Sequence, residues 1–139
     1  MKSSPNRLLA TIFGAVYLLV GLLGFSVTGG VGFISNDGGL LLGLFMVNPL
    51  HNIAHVLIGA ALLIGGLANV KAAKSTNIVV GAAYLLLGVV GFFVSGPINV
   101  LALNMPDHFL HLGSAAVLLG IGLGSDKNIV PDPTRPARA

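Results

Sequence analysis

Cysteine is absent from the chain, which excludes disulfides, thiolate catalysis and iron–sulfur clusters. Charge is scarce too. Charged residues make up 8% of the 139, against roughly 25% in a soluble globular domain, so this chain cannot clothe a water-facing surface. The acids are four aspartates, Asp37, Asp107, Asp126 and Asp132. None lies midway along an apolar run, where a proton relay or ion path would need one. General acid–base chemistry has few candidates beyond histidine. There is no Ser–His–Asp arrangement, no Gly-rich phosphate loop and no His-Glu-x-x-His step. No catalytic residue, and no enzyme activity, is expected.

What is present is apolar. Hydrophobic residues make up 55% and the mean hydropathy is +0.95, so the lipid bilayer is the expected solvent and first partner. The length suits one domain. Residues 1–7 form a polar N-terminus, and Leu8 to about Val27 is an apolar run of 20 residues. That is enough to cross a ~30 Å hydrocarbon layer at ~1.5 Å per residue. Further spans are expected at about 49–68, 78–94 and 106–124, giving a transmembrane domain over 8–124. Asn48-Pro49 supplies a plausible cap and first turn for the second. Asn69–Asn77 reads as the link between the second and third. Leu40–Val47 and Ile98–Asn104 are apolar but too short to span, and are expected to lie at the membrane surface or dip into it, packed on the bundle. Residues 125–139, with Pro131, Pro133 and Pro136, read as a disordered tail.

The sequence pI of 9.7 does not indicate nucleic acid. Lys2, Arg7, Lys71, Lys74, Lys127, Arg135 and Arg138 are all the basic residues, and they fall in the N-terminus, the second-to-third link and the tail. The positive-inside rule then places both termini in the cytoplasm. The chain also repeats itself. Gly14–Phe25 returns as Gly81–Phe92 with 8 of 12 positions identical, at a shift of 67 residues. Each half holds two helices, so the expected fold is an all-α, four-helix transmembrane bundle of two parallel two-helix repeats.

Gly14, Tyr17, Gly21 and Gly24 share one helix face, as do Gly81, Tyr84, Gly88 and Gly91. Small residues let membrane helices approach closely. These faces are expected to be helix seams, each tyrosine hydroxyl bonding a neighbouring backbone, rather than a substrate groove. All four histidines fall in matching places of the two halves, His51 and His55 at i, i+4 and His108 and His111 at i, i+3. Each pair can share a face in the first turns of its helix. Three roles compete. The four could bind a transition metal through imidazole nitrogen, with Asp107 and Asn52 holding ring N–H groups from behind. One histidine from each half could ligate a b-type haem without covalent attachment. Or they could only tie helix ends together, with no cofactor, and this last is the expectation.

Several motifs together resemble a known family. They are Gly-Ala-x-Tyr-Leu-Leu-x-Gly-x-x-Gly-Phe at 14–25, Leu-Leu-Leu-Gly-Leu-Phe at 40–45, His51-Asn52-x-x-His55 leading to Gly59, and Leu110-His111-Leu112-Gly113. The resemblance is to an uncharacterised family of small bacterial four-helix integral membrane proteins, known as a domain of unknown function. It covers most of 8–124. It implies a multi-pass protein of the bacterial cytoplasmic (inner) membrane and no particular activity. The functional expectation is an accessory or scaffolding subunit associating with other membrane subunits or itself. The alternatives are a metal- or haem-binding redox protein and a small-molecule or lipid carrier.

Overall fold

The computed structural model describes residues 4–127. Four helices form: α1 (Pro5–Gly24), α2 (Pro49–Ala68), α3 (Val70–Gly91) and α4 (Met105–Gly124). Each is long and apolar enough to cross a membrane. A tight turn of helix extends α1 through Val27. The tail expected over 125–139 is corrected at its start, where Ser125 caps α4 and Asp126 is bonded to Ser4 and Asn6; beyond Lys127 it lies outside the described residues.

Each helix starts at a polar residue whose side chain accepts from an otherwise orphaned backbone N–H. Ser4 accepts from Arg7 N, Asn48 from His51 N, Asn69 from Ala72 N and Asn104 from Asp107 N. The expected long link at 69–77 is therefore a correction. Asn69 both ends α2 and caps α3, so one residue makes the turn. Lys71 to Asn77 form the first two turns of α3, their polar character reflecting a helix end at the interface rather than a loop. At the other end of the hairpin α3 stops at Gly91, short of the expected Val94.

α1 packs chiefly on α2, and α3 on α4. α1 and α3 run side by side in the same direction, as the Asn6–Asn77 and Tyr17–Tyr84 contacts show. The α1–α2 seam is backbone against backbone. A Cβ on Gly14 would lie 2.7 Å from Leu63 Cα and 2.9 Å from the Gly59 carbonyl, and one on Gly59 would meet Leu18 in the same way. Farther along, Gly21 and Gly24 stand against Val56 and Asn52. In the second half Gly81 and Gly88 face the leucine side chains of α4, and Gly91 the ring of His108. Ala10, Leu62, Ala73, Ala115 and Leu118 fill the interior, while Leu8, Leu19, Leu22, Leu57, Leu86 and Leu123 point outward.

The two short apolar segments differ from each other. Residues 39–47 form an antiparallel hairpin, β1 (Gly39–Leu41) on β2 (Phe45–Val47), pairing Leu41 with Phe45. Leu42 and Gly43 at its tip both have positive φ, the backbone that suits the twist of paired strands. Residues 98–104 contain no strand. There Asn99 bridges both the N–H and the C=O of Leu103, each at 2.9 Å. Asn48 joins the two segments, donating to the Ser35 and Val100 carbonyls at 2.9 and 2.7 Å. Together they cover the end of the bundle where α2 and α4 begin.

Candidate metal centre

Beneath that cover, His51 and His55 lie one turn apart in the first turns of α2, and His111 comes from the second turn of α4. The backbone of His51 is fixed by the Asn48 cap at 2.8 Å, so the rotation of α2 that turns both rings inward is set at its first residue. The three rings converge. One nitrogen from each lies within 4.8 Å of the others, and the ring centroids are 4.4 Å (51–55), 5.9 Å (51–111) and 6.2 Å (55–111) apart. Relative exposures are 1%, 3% and 0% for His51, His55 and His111. An aromatic wall backs them: Tyr84 stacks on His111 at 5.0 Å and 10°, and Tyr17 lies 5.3 Å from His55.

Among the described residues none of the six ring nitrogens of this trio has a hydrogen-bond partner. The carbonyls of Met46 and Leu101 lie on the His51 side but meet neither of its nitrogens with hydrogen-bond geometry. A buried polar group left unpaired costs about 1–3 kcal/mol, and native proteins leave few. All six nitrogens of three adjoining rings stand in that state.

The other sequence-predicted residues part from the trio. His108 and His111 stand about 60° apart around α4, and their rings meet different neighbours. The His108 ring turns toward α3, 4.7 Å from Phe92, and stays outside the cluster. Asp107 holds no imidazole. Its carboxylate accepts from the Asn104 backbone at 2.9 Å while Asn104 accepts from Asp107 N, a reciprocal cap at the start of α4. Asn52 faces α1, donating to Thr28 Oγ1 at 3.1 Å. The tyrosines also depart from the expected backbone bonds. Tyr17 reaches across the bundle to Ser114 Oγ at 2.6 Å, and the buried Tyr84 hydroxyl has no partner among the described residues. Ser114 was not expected in the site, although its spacing of three from His111 already put it on the same face of α4.

A cavity of about 310 Å³ adjoins the trio between α1, the 39–47 hairpin and α4. His55, Tyr17, Asp107 and Ser114 are its polar wall; Phe13, Val20 and Phe45 are among its apolar lining.

The fold and this centre define a class: a four-helix membrane protein with buried, converging imidazoles at one end of the bundle. The chain belongs to the family described as Domain of unknown function (DUF4383), whose model matches residues 7–124. No curated protein and no solved structure matches it.

Proposed function

We propose that this membrane protein holds a transition-metal ion through His51, His55 and His111. The observation that carries the reading is the convergence of three fully buried imidazoles whose nitrogens have no partner among the described residues. Neutral imidazole is a good ligand for zinc, copper and iron. Three nitrogen ligands with a fourth position open is the arrangement of catalytic rather than structural zinc sites. A tetrahedral ion at ~2.0–2.1 Å from each nitrogen holds its donors about 3.4 Å apart, so the rings draw inward by about 1 Å on binding. A haem fits less well. The rings of His51 and His55 are 4.4 Å apart and Tyr84 lies flat on His111, leaving no slot for a macrocycle between facing imidazoles.

The described basic residues Arg7, Lys71, Lys74 and Lys127 all stand at the opposite end of the bundle. On the positive-inside rule that end is cytoplasmic and the metal faces the outer side. The bacterial cytoplasmic membrane is the setting that the family resemblance implies. An accessory-subunit role would draw on the apolar outer faces of the helices, which lipid covers equally well, and would leave the three imidazoles without a purpose.

Equilibrium dialysis of the detergent-solubilised protein against zinc(II) tests the proposal. One ion per chain is expected. His111→Ala should weaken binding by more than ~100-fold, since loss of a group behind a ligand already costs ~10–100-fold. Non-saturable uptake, or equal affinity in the variant, would overturn it.

A further inference from the structure

The trio is sealed, and the seal is uneven. Toward the basic end Tyr17, Tyr84, Leu62 and Leu118 pack beneath it, the two leucines two turns beyond His55 and His111. To the side, the cavity opens beside Ile12, Val16 and Leu42 on the lipid face, which is no path for a hydrated cation. At the end where α2 and α4 begin, the barrier is the thin cover of 39–47 and 98–104, and no α-helix crosses it. Side-chain amides of the two helix caps join its halves: Asn48 Nδ2 donates to the Val100 carbonyl at 2.7 Å and Asn104 Nδ2 to the Leu44 carbonyl at 2.9 Å. Bonds of this kind add little net stability, and a hairpin of three residue pairs is marginal by itself, so the cover is the part of the shell that opens most readily. It also brings acceptors to the trio. One carbonyl from each half, Met46 from the hairpin and Leu101 from 98–104, stands on the His51 side, and neither meets a ring nitrogen with hydrogen-bond geometry. The turn that carries the Leu101 carbonyl is held by Asn99, whose carbonyl accepts from Ala102 N at 3.0 Å and whose side chain brackets Leu103. Ala102 has a φ of 55° there. Alanine seldom adopts that backbone, and such strain is kept where surrounding contacts impose it, often at ligand clamps. A histidine that ligates an ion through one nitrogen carries N–H on the other, and a backbone carbonyl is a usual acceptor for it.

We propose that 39–47 and 98–104 form a metal-latched lid. It opens at the Asn48 and Asn104 bridges to admit the ion, and closes on it as the second His51 nitrogen donates to the Met46 or Leu101 carbonyl. Occupancy and closure then reinforce each other by the same factor in both directions. The proposal rests on the metal reading for what holds the lid shut, and adds how that site is filled and emptied.

The test uses the full chain in detergent micelles. Asn48→Ser/Asn104→Ser keeps a capping oxygen on both helices and, with Asp107 in place, the reciprocal cap of α4. The shorter side chains no longer reach the Ser35, Val100 and Leu44 carbonyls. Zinc(II) release into excess EDTA, and zinc(II) loading followed by the loss of signal from a zinc-sensitive dye, are timed by stopped flow. Both rates should rise about tenfold, the worth of one or two weak hydrogen bonds, because an opened gate speeds traffic in both directions. The wild type gives a second reading without any substitution: zinc(II) should slow amide hydrogen exchange in 39–47 and 98–104 at least about fivefold. Faster release with unchanged loading would mark a damaged site and overturns the lid. So does zinc binding that leaves hydrogen exchange in both segments unaltered. Zinc uptake with unaltered rates in the double variant removes the lid alone, whereas a protein that takes up no zinc removes the metal reading and the lid with it.

Discussion

Asp126 gathers three donors on one carboxylate oxygen: Ser4 Oγ at 2.7 Å, Asn6 Nδ2 at 2.9 Å and Asn6 N at 3.2 Å. Asn6 in turn accepts from Asn77 Nδ2 at 3.0 Å, so one carboxylate fastens α1 to the ends of α3 and α4. Burial alone would raise its pKa, but the Ser4 and Asn6 hydrogen bonds and the nearby Lys74 charge together hold it below the usual carboxylate range. A depressed folded-state pKa stabilises fully above the unfolded value, about 3.9, and the stabilisation is lost as pH falls through the lower folded value. Asp126→Asn keeps a residue that tolerates the positive φ at this position and removes only the charge. The variant should melt below the wild type at neutral pH, and the gap should close in acid below the ordinary aspartate range. A gap in thermal midpoint independent of pH would contradict this account. Little of the network was legible in the sequence, because Ser4 and Asn6 read as an ordinary polar start and their partner Asp126 lies more than a hundred residues away. Distance along the chain also hid the pairing of Tyr17 with Ser114. The histidines were legible as two pairs. Which member of the second pair faces inward was not, because that depends on how the Asn104–Asp107 cap and the contact between Gly91 and His108 rotate α4.

Elements report how tightly the two hairpins are built. Because the α1–α2 seam sets backbone on backbone at Gly14 and Gly59, Gly14→Ala should destabilise by about 1–3 kcal/mol, the usual cost of overpacking. Gly120 in α4 is exposed, and a methyl group there would meet nothing within 4 Å; Gly120→Ala should be neutral or stabilise by up to ~1 kcal/mol through helix propensity. Unfolding of both variants in mixed detergent micelles checks the contrast, and equal effects would show that the seam is not the constraint. The spans themselves were the most readable part of the chain, since an apolar run of 20 residues beside Gly and Pro punctuation has few alternatives in lipid. The start of α3 was not readable, because Lys71–Asn77 has the composition of a loop and only the Asn69 cap makes it helix. The hairpin at 39–47 was equally hidden, since a short apolar run fits a strand or a turn of helix alike.

For the whole molecule, a bundle fastened by polar contacts at the basic end holds three imidazoles under the linked segments 39–47 and 98–104 at the other. The outer faces are given to lipid, and most of the buried side-chain atoms without partners among the described residues are imidazole nitrogens. This division of labour makes the metal the central claim. It is tested most directly by the metal content, by mass spectrometry, of protein purified in mild detergent without chelator or polyhistidine tag. The account predicts close to one transition-metal ion per chain in the wild type and in His108→Ala, and almost none in His55→Ala/His111→Ala. Metal-free wild type that also fails to take up zinc, or equal loss in His108→Ala and the double variant, would contradict it.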